Sequence, residues 1–328
     1  HRATWLAWPH NLEPWPDRNQ LEIVKKVWVQ MVRGLSPAEE VCLLVRDEWQ
    51  QAEATKLLRD GGAVMDHLSM YRISTVDVWI RDYGPIFLTR EGEKDRLAFN
   101  DWIFNAWGSK YESYSADDSV CREIAEIVRV PVIEHEIVLE GGSIDVNGRG
   151  TCLTTEQCLL NANRNPHLSR VEIEENLRES LGVDHIIWLG EGIVGDDTDG
   201  HIDDIARFID PTTIVCALEE NSRDENYRLL RENYERLQGA QDQGGKKLTI
   251  VPLPMPGRVV YDGTRLPASY ANFYIANGVV LVPTYNHLNY RKALGILGEL
   301  FPDRKVIGIP CTALVAGLGA IHCVTQQE

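Results

Sequence analysis

Residues 205–218 read IARFIDPTTIVCAL: an apolar run, an Asp-Pro-Thr-Thr break and a second apolar run. Two short β-rich runs around a turn former predict a strand, a tight turn and a returning strand. The same pattern recurs in GPIFLTREGEKDRLAFN (84–100), SIDVNGRGTCLTTE (143–156) and NFYIANGVVLVPTY (272–285). The segments open at Gly84, Ser143, Ile205 and Asn272. A last opening at Ala320 begins a fifth, hairpin-like unit in GAIHCVTQQ, so the intervals are 59, 62, 67 and 48 residues.

Helical patterns and short apolar strands separate the hairpins. RNQLEIVKKVWVQMVRGL (18–35) carries Leu21, Val24, Trp28, Met31 and Leu35 at helical spacing. LSRVEIEENLRESLG (168–182) opens on a Ser169–Glu172 capping box, with Leu168 and Ile173 placed for a hydrophobic staple, and closes on Gly182. NSRDENYRLLRENYERLQG (221–239) reads as a third helix, and HIIWLG, KLTIVPLP and RKVIGIP as strands following helices. A hairpin, a helix and a strand in repetition predict small α/β modules arranged radially, with the end of the chain closing the ring. An ordinary mixed α/β sandwich is the alternative. The whole of 1–328 is expected to form one catalytic domain.

Composition narrows the function. Hydrophobic residues make up 44% and charged residues 25%, the mix of a globular protein. Acidic residues number 49 against 33 basic ones, a net charge of −16 that repels nucleic acid and favours cationic ligands. No apolar run reaches the ~18 residues of a membrane span. The chain begins at His1 without a basic, apolar leader, so a cytoplasmic protein with no membrane partner is expected. Seven cysteines without a CxxC spacing argue against a disulfide framework and a cysteine-rich zinc site. A homo-oligomer is left open.

The reactive residues fall just before or at the hairpin openings. VWIRDYGP supplies Trp79, Arg81 and Asp82. LEGGS supplies Glu140. GDDTDGHIDD supplies Asp197, Asp199, His201, Asp203 and Asp204, and the last unit supplies Cys323. Taken singly, each has a structural explanation: a turn former, a solvated acid, a core histidine, a packed thiol. Modules around an axis would bring equivalent positions together. Facing carboxylates suit a guanidinium, whose N–H fork matches them. A thiolate can attack its carbon while an imidazole protonates the departing nitrogen. A metal held by His201, Asp203 and Asp204 is the rival reading, but no second histidine or HExxH accompanies them. GxSxG, Walker and GxGxxG motifs are absent.

These motifs resemble those of the agmatine deiminases, within the guanidine-modifying superfamily of five-bladed α/β propellers with fivefold pseudosymmetry (the pentein fold). The resemblance runs along nearly the whole chain, through TWLAWPHN, WIRDYGP, FNAWG, LEGGSIDVNGRGTCLTTEQCLLNANRNP, GDDTDGHIDDIARF, LPASYANFYIANGVVLVP, FPDRKVIGI and GAIHCVTQQ. Bacterial peptidylarginine deiminases share the core motifs, and a peptidylarginine deiminase is the alternative activity. A binding-only propeller would have no need of the full set of reactive residues. The resemblance implies Cys323 as nucleophile, His201 as general acid and then base, Asp82 and Asp203 gripping the guanidinium nitrogens, Glu140 beside them and Trp79 lining the pocket. It implies hydrolysis of agmatine to N-carbamoylputrescine and ammonia through a thiouronium, in polyamine biosynthesis, with a small cationic guanidine as substrate and no metal or organic cofactor. Many relatives have Glu where this chain has Asp197, which meets the distal amine, and GGGNIHC where this chain reads GLGAIHC.

Overall fold

The computed structural model describes residues 1–90 and 97–328. The expected turn of the first hairpin, in 91–96, lies outside the described residues. Four modules repeat one plan, an antiparallel hairpin whose second strand pairs in parallel with a third. The first joins Ile86–Thr89, Leu97–Ile103 and Val132–Val138. The second joins Asp145–Val146, Thr151–Thr155 and His185–Leu189. The third joins Ala206–Asp210, Thr213–Leu218 and Thr249–Pro254. The fourth joins Tyr274–Ala276, Val279–Thr284 and Lys305–Pro310.

The fifth module is assembled from both ends of the chain. Gln326–Gln327 pairs antiparallel with Ala3–Ala7, which continues in parallel to Glu40–Val45 and then to an additional strand, Leu68–Arg72. The Glu328 N–H donates to the Ala3 carbonyl at 2.8 Å, and the Arg2 N–H donates to the Glu328 carbonyl at 2.7 Å. The closure expected at GAIHCVTQQ is therefore present, with one correction. Cys323 lies in the turn before the last strand, and the returning strand comes from the other end of the chain.

In each module a helix crosses between the parallel strands: Arg18–Leu35, Val120–Val128, Arg170–Leu181, Asn226–Gln238 and Tyr290–Leu300. Parallel neighbours cannot be joined by a tight turn, which is why the sequence alternates in this way. Arg18–Leu35 buries the predicted stripe, Leu21, Val24, Trp28, Met31 and Leu35. Each of these side chains removed from water contributes roughly 1.5–3 kcal/mol. The Ser169–Glu172 capping box is formed, and Gly182 ends that helix at φ 64°.

The sheets are separate and do not merge into one barrel. Their opening strands nevertheless surround a common space. Phe87, Asp145, Arg207, Tyr274 and Gln327, one from each module, line a single cavity of about 310 Å³. This is the pentein arrangement of five α/β blades about an axis. Among the described residues no helix is long and apolar enough to cross a membrane.

Candidate active site

A second cavity, of about 370 Å³, is lined by Trp79, Asp82, Trp107, Tyr111, Asp197 and Cys323, together with other residues. Four of the seven site residues expected from sequence therefore share one pocket. The other three, Glu140, His201 and Asp203, form a buried layer that supports it.

Cys323 stands in a turn clamped by Asn272. The Asn272 Oδ1 accepts from the His322 N–H at 2.9 Å. Its Nδ2 donates to the Cys323 Sγ and to the Asp204 Oδ1, each at 3.1 Å. Cys323 is the only cysteine lining the pocket among the described residues. Burial drives its thiol pKa well above the usual value, and the charges of Asp203, Asp204 and Asp82 add to that. Near neutral pH Cys323 is therefore a thiol.

Two carboxylates flank it. The Asp203 Oδ2 lies 3.7 Å from the Cys323 Sγ and 2.7 Å from the His322 Nδ1, while its Oδ1 has no partner. Burial raises the Asp203 carboxyl to about 7. Asp82 accepts from the Gly142 N–H and from the Trp107 indole, both at 3.0 Å. Burial, then the charges of Asp203 and Glu140, push Asp82 well above the carboxylate range. Like charges held together out of water favour proton uptake or a bound cation.

His201 is buried, with neither ring nitrogen hydrogen-bonded. Its Nδ1 lies 3.7 Å from the Asp82 Oδ1. Burial holds its pKa well below the ordinary value, so the ring is neutral near pH 7. The contact depends on Gly142. A Cβ there would fall 2.5 Å from the His201 Nδ1 and 2.8 Å from the Asp82 Oδ1. Gly142→Ala is expected to cost ~10–100-fold in kcat, because displacement of about an ångström at a reacting centre has that effect. Steady-state kinetics check it.

Glu140 departs from the picture of carboxylates all facing a ligand. Its Oε1 accepts from the Arg164 Nε at 2.7 Å, with both side chains fully buried. Arg164 also donates to the Asp199 Oδ2 at 2.6 Å and to the Thr198 carbonyl at 2.8 Å. An internal guanidinium thus balances Glu140 and ties the 196–201 loop beneath the pocket. The Glu140 Oε2 remains without a partner.

The set proposed for a metal is dispersed. Asp203 and Asp204 turn to His322 and Asn272 rather than to His201. Among the described residues the grouping with donor atoms within 4.8 Å of one another is Glu140, Cys158 and His201. Arg164 already places a cation on that glutamate, so a dication there would meet resident positive charge.

At the pocket wall, the Asp197 Oδ2 accepts from the Tyr111 hydroxyl at 2.6 Å, and Lys110 donates to the Asp197 backbone carbonyl. Burial lifts the Asp197 carboxyl to about 6. Trp79 donates to the Asp77 Oδ2 at 3.1 Å and packs against Gly319, where a Cβ would lie 2.3 Å from its ring.

Asn272, Trp107 and Arg164 were not singled out from sequence. Asn272 opens the fourth hairpin, so the repeat itself held the signal. Trp107 lies in a loop where Ala106, Trp107 and Ser109 take positive φ, at 53°, 55° and 61°. Such strain persists where the surroundings over-determine it, often beside a site, and it is invisible in FNAWG.

The fold and the pocket together define a class, the five-module α/β proteins that set a cysteine against buried carboxylates. A family model described as Porphyromonas-type peptidyl-arginine deiminase matches residues 1–328, and the chain belongs to that family. It is 35% identical over 360 residues to the agmatine deiminase of Medicago truncatula, covering 100% of this chain and 94% of the relative. The structure of the Enterococcus faecalis agmatine deiminase superposes with a TM-score of 0.92 at 34% identity, covering 100% of this chain and 93% of the other. A cysteine-to-serine variant of the C. jejuni agmatine deiminase, solved with substrate bound, gives 0.87 at 32% identity, covering 99% and 92%.

Proposed function

We propose that this chain is an agmatine deiminase, a hydrolase of C–N bonds whose single catalytic domain spans 1–328. The observation that carries the proposal is the pocket in which the Cys323 thiol opens beside the buried Asp82 and Asp203 carboxylates, whose upward-shifted pKa values mark a place that favours a bound cation. A guanidinium supplies that cation, with donors for Asp82 and Asp203.

The chemistry follows from the groups present. The bound cation offsets the charges that hold the Cys323 proton, so the thiolate becomes accessible once substrate is seated. The Cys323 thiol passes its proton to the neutral His201 ring as the Sγ forms a bond to the guanidinium carbon. His201 passes a proton to one terminal nitrogen, the C–N bond breaks and ammonia departs. The thiouronium left on Cys323 is then attacked by water that gives its proton to His201. The C–S bond breaks, His201 returns that proton to the Cys323 sulfur, the second water proton leaves as the ureido carbonyl forms, and the thiol is restored. No step requires a metal, and dialysis against a chelator is expected to leave the rate unchanged.

Asp197 favours agmatine over peptidyl-arginine. It offers negative charge to a distal ammonium, which agmatine carries and an arginine embedded in a peptide lacks. One charged contact is worth ~1.5–3 kcal/mol, or roughly ten- to hundredfold. Asp197→Asn is expected to weaken agmatine turnover by that factor and to leave a simple alkylguanidine nearly unchanged. Because burial lifts this carboxyl to about 6, the KM for agmatine is expected to rise as pH falls through that range. The dependence should flatten in Asp197→Asn.

The deciding experiment incubates the protein with agmatine, free arginine and a blocked arginyl peptide, and measures ureido product and ammonia. Faster citrulline formation in the peptide than product formation from agmatine would replace this reading with peptidylarginine deimination, the activity in the family's description. Binding without turnover of any of the three would leave a binding-only propeller.

A further inference from the structure

The axial cavity of about 310 Å³ is separate from the pocket that holds Cys323, and its chemistry is opposite. Its lining carries Arg81, Arg207 and His322. One carboxylate, Asp145, faces them, and both its oxygens are engaged. The Oδ1 accepts from the Arg207 Nε at 2.9 Å and the Oδ2 from the Phe208 N–H at 2.6 Å. Arg207 also donates to the Phe273 carbonyl at 2.8 Å and lies over that residue's ring. Arg81 donates to the Gln327 Oε1 at 2.8 Å and to the His322 carbonyl at 3.3 Å, both uncharged acceptors. Of the two buried guanidinium groups at the cavity wall, only Arg207 is paired with a carboxylate of the lining. In a chain of net charge −16, a cationic cavity is against the general trend.

Ile86, Leu88, Ile144 and Ile275 supply apolar wall between these groups, and His1, Tyr274 and Gln327 supply further polar wall. A planar two-oxygen anion fits the guanidinium fork, and a short hydrocarbon tail fits the walls. We propose that the axial cavity binds a small aliphatic carboxylate, held by Arg81 and Arg207.

The site lies immediately behind the nucleophile. The Arg81 backbone N–H donates to the Cys323 carbonyl at 3.2 Å. His322 lines the cavity and reaches the Asp203 Oδ2 at 2.7 Å. Burial, with the charge of Arg207 added, holds the Arg81 pKa down to about 10, and the charges of Asp203 and Asp82 work against that by stabilising protonated Arg81. A cation bound on the far side neutralises those two aspartates and leaves Arg81 short of negative charge. Substrate and carboxylate therefore reinforce each other's binding, reciprocally. This coupling, unlike the site itself, rests on the guanidine-substrate reading.

Titration calorimetry with butyrate tests the site on the full chain. Saturable binding is expected, weakened about tenfold by Arg207→Gln, which removes a charged partner. Val146→Glu is a second variant. Val146 lies at the cavity wall and is 45% exposed, so folding tolerates the change. Its added negative charge is expected to weaken butyrate about threefold. In Cys323→Ser with agmatine bound, butyrate is expected to bind about fivefold tighter. No saturable binding, or binding that neither substitution changes, overturns the site. Inorganic phosphate binding tighter than butyrate overturns the carboxylate assignment. Equal butyrate affinity with and without bound agmatine overturns the coupling and leaves the site standing. Agmatine failing to bind Cys323→Ser counts against the guanidine-substrate reading alone.

Discussion

Cys323→Ser is expected to abolish turnover while agmatine binding, measured by calorimetry, stays within about threefold of the parent. The Asn272 clamp and the flanking carboxylates do not depend on sulfur. A serine hydroxyl is a far weaker nucleophile near neutral pH, and the Asp203 Oδ2 that accepts from the Cys323 Sγ at 3.7 Å is shared with His322 at 2.7 Å. The same electrostatics make a second, sharper expectation. In the empty pocket the thiol is held protonated by burial and by Asp203, Asp204 and Asp82. A neutral haloacetamide should therefore alkylate Cys323 slowly at pH 7. A haloacetamidine, which carries a cation that Asp82 and Asp203 attract, should label it ahead of the other six cysteines. Those six are buried and line neither the pocket nor the axial cavity. Full activity in the serine variant, or equal labelling by the two reagents, would remove the covalent route.

The repeat was legible because strand, turn and helix are local events written at short range. IARFIDPTTIVCAL carries its own turn, and the Ser169 helix its own cap and stop. Ring closure was also readable, since the last unit, at Ala320, opened like the other four. What could not be read was where its second strand came from. Ala3–Ala7 is more than 300 residues away from Gln326 in sequence, and nothing local announces that pairing. The site divides in the same way. Asp82, Asp197 and Cys323 were visible because each sits at a repeated position and enters the pocket. The role of Arg164 was not, because its significance arises from two carboxylates distant in sequence, Glu140 and Asp199, that meet only in the fold. For the same reason Glu140 reads as a ligand-facing acid in sequence and as half of an internal ion pair in space.

Asp203→Asn and Asp82→Asn should each lower kcat/KM by a factor corresponding to about 2–5 kcal/mol, since each leaves a desolvated guanidinium without a charged acceptor. That is roughly thirtyfold to several thousandfold. Stability should move in the opposite direction. Both carboxyl groups have folded-state pKa values raised above those of the unfolded chain, Asp203 to about 7. A group shifted upward binds its proton more tightly in the folded state. It therefore destabilises the fold progressively as pH rises from the ordinary carboxylate range, ~4, towards the folded value, and fully above it. Asparagine removes that penalty and keeps the side-chain shape. The empty variants should accordingly unfold at higher temperature than the parent at pH 8, and the difference should shrink towards pH 4. Agmatine should raise the Tm of the parent at pH 8 and do so much less in either variant, because the cation relieves a charge that asparagine no longer carries. Thermal scans at the two pH values with and without agmatine separate these outcomes. Variants with near-parental activity and no pH-dependent gain in Tm would mean that Asp82 and Asp203 only shape their turns.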